Sequence, residues 1–60
     1  MNTRLWTPIQ HGRFILRNKH KGESVRDFAI RCNPDVMSTD IKTWQRRYRL
    51  AVKEANRRAP

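Results

Sequence analysis

The chain has 60 residues and a formal net charge of +9, from fourteen Lys and Arg against five Asp and Glu. A chain of this length forms one small domain with a modest core, because it buries only about 60% of the surface that its unfolded form exposes. That leaves no room for a deep substrate cleft, which argues against an enzyme. So high a charge causes self-repulsion and usually indicates an anionic partner, of which nucleic acid is the commonest.

Other classes of protein and site are excluded by residue type and spacing. The longest apolar run is 14–16, far below the roughly 18 residues of a membrane span, and 1–7 lacks the apolar region of a signal peptide. The single cysteine, Cys32, is expected to be a buried small hydrophobe in a reducing cytoplasm. His11 and His20 have no ligand partners at metal-binding spacing. We therefore expect no catalytic site, metal, cofactor, membrane contact or small-molecule substrate.

The first predicted helix begins at Thr7, which can act as the N-cap, with Gln10 as its capping-box partner. We expect this helix to run to about Lys21. Gly22 then supplies a left-handed C-terminal stop. Gly12 lies inside the helix and weakens it.

The second predicted helix is short, about nine residues by the usual start and stop signals. Ser24 can cap it, and Asp27 lies favourably in its first turn. It ends at Asn33, which tolerates a left-handed conformation and precedes a proline. Its apolar face follows the i, i+3, i+4, i+7 pattern through Val25, Phe28, Ala29 and Cys32.

The third predicted helix, 40–58, is capped by Ser38 or Thr39, with Asp40 in its first turn. At about 100° per residue it has two opposite faces. The apolar stripe contains Ile41, Trp44, Tyr48, Ala51, Val52 and Ala55. The basic stripe contains Lys42, Arg46, Arg49, Lys53 and Arg57. We expect a single domain over 1–60, with flexible ends at 1–6 and 57–60.

A short helix, a polar turn and a basic amphipathic helix together predict a helix-turn-helix. The segments 24–33 and 39–49 resemble helix-turn-helix DNA-binding domains, most closely those of small phage regulators and transposase-type recognition domains. The residues that match are Ala29, Phe28, Ile41 and Trp44. The turn departs from the pattern, because Asn33 replaces the usual glycine and the connection is longer. The expected fold class is therefore all-α: a small three-helix domain with a helix-turn-helix variant and a long C-terminal basic amphipathic helix.

The resemblance implies which side chains would meet DNA. Base reading is implied for Thr39, Lys42, Thr43 and Arg46. We expect Arg46 to be the chief base reader, because arginine can bind guanine O6 and N7 together. Contact with the DNA backbone is implied for Ser24, Ser38, Arg47, Arg49, Lys53, Arg13, Arg17, Lys19 and Lys21.

Three bulky apolar side chains of the third helix need their own interpretation. Trp44 and Tyr48 lie on the apolar stripe and are expected in the core rather than as platforms for stacked bases. Leu50 lies off that stripe. It is expected to cover a dimer partner, to extend the core, or to be an ordinary exposed leucine.

The sequence favours a sequence-specific double-stranded DNA-binding protein of the bacterial cytoplasm or nucleoid in a phage-infected cell. Its expected role is a phage or mobile-element transcriptional regulator that acts by site occupancy. One recognition helix has a small footprint, so a homodimer on paired half-sites is expected. Two alternatives remain open. One is an RNA-binding or antitermination module, and the other is a basic protein-interaction module that docks on an acidic partner such as polymerase or a nuclease.

Overall fold

The computed structural model describes residues 6–58, which form three α-helices and no strand. Helix α1 spans Pro8–Asn18, α2 spans Val25–Cys32 and α3 spans Ser38–Arg58. This confirms the predicted all-α, three-helix fold. Residues 1–5 and 59–60, which belong to the ends predicted to be flexible, lie outside the described part. Within that part, no helix is both long and apolar enough to cross a membrane.

The N-terminal caps of α1 and α2 form as the sequence predicts. The Thr7 hydroxyl accepts a hydrogen bond from the Gln10 backbone N–H at 3.3 Å, and the Gln10 side chain accepts one from the Thr7 N–H at 3.0 Å. Ser24 Oγ accepts from the Asp27 N–H at 3.0 Å. These bonds satisfy backbone donors that have no partner inside a helix, which makes both starting points definite.

Helix α1 ends at Asn18, so the predicted end near Lys21 is wrong. The Asn18 side chain donates to the Phe14 carbonyl at 2.9 Å, a local side-chain-to-backbone bond that competes with continuation of the helix. Lys19 then adopts an extended backbone conformation. Gly22 does have a positive φ of 86°, but it lies in the turn after α1 rather than at the helix cap.

The connection between α2 and α3 is a compact turn built on Asn33. Its side-chain oxygen accepts from the Asp35 N–H at 3.1 Å, and its carbonyl accepts from the Val36 N–H at 2.9 Å. Asn33 has an extended conformation with φ −147°, not the left-handed one expected of it. This turn ends at Val36, and α3 begins two residues later, at Ser38.

The start of α3 differs from the prediction. The Met37 carbonyl accepts the N–H of Ile41 at 3.0 Å, so Ser38 is already helical and neither it nor Thr39 is the N-cap. The helix ends at Arg58, the predicted last residue, and so includes 57 and 58 of the end expected to be flexible.

The core lies where α3 packs on α1, with α2 crossing the first part of α3. Ile15, Phe28, Ala29 and Ala51 are buried. Trp44 is half-buried and lies between α1 and α2, with its ring centroid 5.9 Å from that of Phe28. The predicted burial of Phe28 and Ala29, and the packing of Trp44, are therefore confirmed.

Two residues predicted on apolar faces are exposed, namely Cys32 and Ala55. Cys32 belongs to the last turn of α2, residues 30–32, all of which are exposed. Helical periodicity identifies the face that a helix buries, but it does not tell how far along that helix its neighbour reaches. That distance is decided by the packing of the helices.

Gly12 is buried at the closest approach of α1 and α3. A Cβ atom placed on Gly12 would overlap the Arg47 carbonyl oxygen and lie 3.0 Å from the Cβ of Ala51. A residue that looks unfavourable for a helix is therefore the one that lets the two helices meet. Its cost in helix propensity, about 1 kcal/mol, is outweighed by the packing it permits.

We predict that Gly12→Ala lowers the free energy of unfolding by about 2 kcal/mol, because overpacking against rigid backbone outweighs the better helix propensity of alanine. In a domain of this size, the thermal midpoint followed by circular dichroism should fall by roughly 10 °C. Asn56→Ala, at an exposed position of α3, is the control and should leave the midpoint unchanged or raise it. An unchanged midpoint for Gly12→Ala would contradict the close approach.

Candidate nucleic-acid interface

The basic stripe of α3 lies on the side of the helix opposite the core. Ala51 and Trp44 face α1 and α2, and by the rotation of about 100° per residue the stripe falls roughly 170° away from them. All five of its side chains are exposed. None of the five forms an ion pair within residues 6–58. This face therefore presents unneutralised positive charge to solvent.

An open groove of about 680 Å³ crosses the middle of this face. It gathers five of the residues that the resemblance implied for DNA contact: Thr43, Arg46, Arg47, Arg49 and Lys53. Its apolar lining comes from Pro8, Tyr48, Leu50 and Val52. Cationic head groups therefore adjoin apolar surface in this groove, which extends from the basic stripe to Tyr48 and Val52 of the apolar stripe.

The remaining residues predicted to read bases lie on the exposed first half of α3. Thr39, Lys42 and Thr43 are all exposed. The Thr43 hydroxyl donates to the Thr39 carbonyl at 3.3 Å, so its proton is already engaged while its oxygen can still accept. Lys42 does not line the groove, although it belongs to the same basic stripe.

Two cations predicted to bind the DNA backbone are instead engaged within the protein. Arg13 forms an ion pair with Glu54, which lowers the pKa of that carboxyl group. Lys19 Nζ donates to the Glu23 carbonyl at 2.6 Å and lies 5.4 Å from the ring centroid of Tyr48. Both contacts tie separate parts of the fold together, so phosphate binding would have to compete with them.

Arg47 has an internal partner that sequence reasoning missed. Its Nη1 donates to Nδ1 of His11 at 2.9 Å. An arginine can only donate, so His11 Nδ1 must be the acceptor and the neutral ring carries its proton on Nε2. Burial lowers the pKa of His11, and the positive charge of Arg47 lowers it further.

His11 is 1% exposed and belongs to the core. Its ring meets Trp44 edge-on with 4.5 Å between centroids, and it also contacts the rings of Trp6 and Phe14. A sequence signal for this was present, since His11 shares a face of α1 with Ile15 at i, i+4 spacing. The prediction treated His11 only as a candidate metal ligand and therefore did not place it in the core.

The other predicted backbone contacts lie at element ends. The Ser24 hydroxyl is the cap acceptor of α2, and Ser38 is an exposed residue in the first turn of α3. Arg17 and Lys21 are exposed and form no ion pair among the described residues. The structure does not bring either of these two cations into the groove.

Arg31 is another cation with an internal partner. It donates two hydrogen bonds to the carboxylate of Glu23, at 3.0 and 3.1 Å. This pairing, helped by the His20 N–H, lowers the pKa of Glu23 to about 2. Arg31 therefore differs from the basic stripe in having its charge neutralised locally.

Within residues 6–58, no three His, Cys, Asp or Glu side chains are grouped so that they could hold a metal ion. No protein-family model, no curated protein and no solved structure matches this chain.

We predict that the free energy of unfolding decreases as the pH is lowered below about 6.5, because the pKa of His11 is lower in the folded chain than in the unfolded one. The stabilising contribution of neutral His11 is complete above that pH and is lost as the pH falls through the folded pKa. Urea unfolding between pH 7.5 and 5 measures this loss of stability. Glu23 and Glu54, whose pKa values are lowered, become protonated at lower pH than this range. His11→Phe should flatten this dependence, whereas exposed His20→Gln should retain it; the same slope in both variants would contradict the assignment.

Proposed function

We propose that the protein binds double-stranded DNA by inserting α3 into the major groove, as a helix-turn-helix variant. The observation that carries this proposal is the basic stripe, which is exposed, free of ion pairs within residues 6–58 and opposite the buried face of the helix. An α-helix with its side chains is about 10–12 Å wide and the major groove is about 12 Å wide, so one such helix fits.

The length of the stripe supports two roles along it. From Lys42 to Arg57 the helix rises about 22 Å at 1.5 Å per residue, and a straight helix leaves the floor of a curved groove over such a distance. We assign base reading to the first part, with Arg46 as the main guanine-reading side chain. Arg49 and Lys53, further along, are assigned to phosphate contact.

The hydrogen bonds and ion pairs that other cations form inside the fold support the same assignment. Arg13, Lys19 and Arg47 have partners within the fold, so we place them outside the primary contact set. Among the residues that the structure describes, no acidic side chain forms an ion pair with the basic stripe. A transcriptional regulator that acts by site occupancy, of phage or mobile-element origin and in the bacterial cytoplasm, is proposed on the helix-turn-helix resemblance alone.

Two other functions are kept as outcomes of experiment. If the protein is an RNA-binding module, a structured RNA hairpin should outcompete duplex DNA. If it is a protein-interaction module, Lys42→Ala and Arg46→Ala should leave nucleic-acid affinity unchanged and abolish binding to an acidic protein such as polymerase. Competition binding with the purified chain separates all three.

We predict that affinity for a random-sequence duplex falls with salt at a slope of log K against log salt near −4.5, since five phosphates would be neutralised at about −0.9 each. On such a duplex the base readers Lys42 and Arg46 have no specific base to bind and join Arg49, Lys53 and Arg57 on the backbone. Lys53→Ala should reduce the magnitude of the slope by about 0.9. Arg31→Ala removes the same charge but from an ion-paired site, so it should leave the slope unchanged. A slope shallower than about −2 for the unaltered chain would contradict phosphate contact along the stripe.

We predict that Arg46→Ala flattens the sequence preference obtained by selection from a random duplex library, because it removes a base contact. Lys53→Ala should weaken binding to all sequences alike and leave the selected motif intact. Loss of preference in both variants to the same degree would refute the division of roles. A palindromic motif would support a homodimer on paired half-sites.

A further inference from the structure

Leu50 is a large apolar side chain at one edge of the basic stripe, beside Arg46. It is 45% exposed and lines the groove with Arg46, Arg49 and Lys53. Arg46 precedes it by four residues and Lys53 follows it by three, so both are its neighbours on the helix surface. Leu50 is therefore accessible and flanked by positive charge.

The position of Leu50 rules out two of the roles open to it from the sequence alone. Ala51, which packs in the core, lies about 100° round α3 from Leu50, and Leu50 is 45% exposed, so Leu50 does not extend the core. A dimer formed through Leu50 would bring Arg46, Arg49 and Lys53 of two copies together, and like charges in close contact oppose association. The surface around Leu50 instead favours an anionic partner that also offers an apolar group.

Duplex DNA in the major groove is such a partner. Among the base edges exposed there, the C5-methyl of thymine is the apolar group, and hydrophobic side chains recognise it by contact. We propose that Leu50 contacts a thymine methyl group in the major groove and thereby adds a preference for an A·T pair to the site. The proposal rests on the proposed function, since it requires α3 to lie in the groove.

The same contact would distinguish nucleic acids chemically. Uracil lacks the C5-methyl group, so a contact between Leu50 and this methyl favours DNA over any ligand that carries uracil at that position. Leu50 lies four residues, or about 6 Å along the helix, from Arg46 and about 40° from it round the helix. Arg49 is about 100° from Leu50, so Leu50 can stay over the base edges beside Arg46 while Arg49 reaches the backbone. The expected site therefore combines a guanine, read by hydrogen bonds, with a nearby thymine, read by apolar contact.

The test uses duplexes selected from a random library by the unaltered chain. The selected pool is amplified once with thymidine triphosphate and once with deoxyuridine triphosphate, which gives identical sequences with and without the methyl groups. Burial of one methyl-sized group corresponds to about fourfold in affinity. We expect the unaltered chain to bind the thymine pool at least about fourfold more tightly, and Leu50→Ala to bind both pools equally.

Leu16→Ala is the matched control, because Leu16 is 38% exposed and lies on α1 outside the groove. It should retain the full discrimination between the pools. Equal binding of the two pools by the unaltered chain, or undiminished discrimination by Leu50→Ala, would overturn this proposal and leave the proposed function standing. Absence of salt-dependent binding to any duplex would overturn both.

Discussion

The close approach of α1 and α3 at Gly12 determines how the rest of the molecule is arranged. Three consecutive residues of α1 meet α3 there: His11 at Trp44 and Arg47, Gly12 at the Arg47 carbonyl, and Arg13 at Glu54. Because Gly12 has no side chain, the backbones can come together and bury Ala51. The orientation of α3 about its own axis is set by this contact, and with it the direction in which the basic stripe points.

That arrangement divides the positive charge of the protein into two kinds. Some cations, such as Arg13, Arg31 and Arg47, are held by acidic or histidine partners and connect elements of the fold. The basic stripe has no such partners in the described part of the chain, although its residues are chemically the same. Net charge alone indicates an anionic partner, but only the partition of cations indicates where on the surface that partner would bind.

The features that can be predicted from the sequence are those that depend on local chemistry. The caps at Thr7 and Ser24 and the opposite faces of α3 follow from short-range hydrogen bonding and helical periodicity. Two features depend on packing between helices and could not be predicted: the need for glycine at position 12 and the exposure of Cys32. The burial of His11 had a sequence signal in its i, i+4 spacing to Ile15, but the contacts that bury it are tertiary. The candidate site divides in the same way, since the stripe was evident from spacing whereas the internal partners of Lys19 and Arg47 depend on tertiary contacts.

The spacing of the basic stripe also opposes folding. Its residues follow one another at intervals of four, three, four and four positions, so each is a helical neighbour of the next with the same charge. Each such pair destabilises a helix by about 0.2–0.5 kcal/mol. Salt ions that screen this repulsion stabilise the free protein. In the proposed complex the same ions would compete with the protein for DNA phosphates. Fold stability and the proposed DNA affinity would therefore depend on ionic strength in opposite directions, and a bound polyanion would relieve the repulsion that the free helix retains.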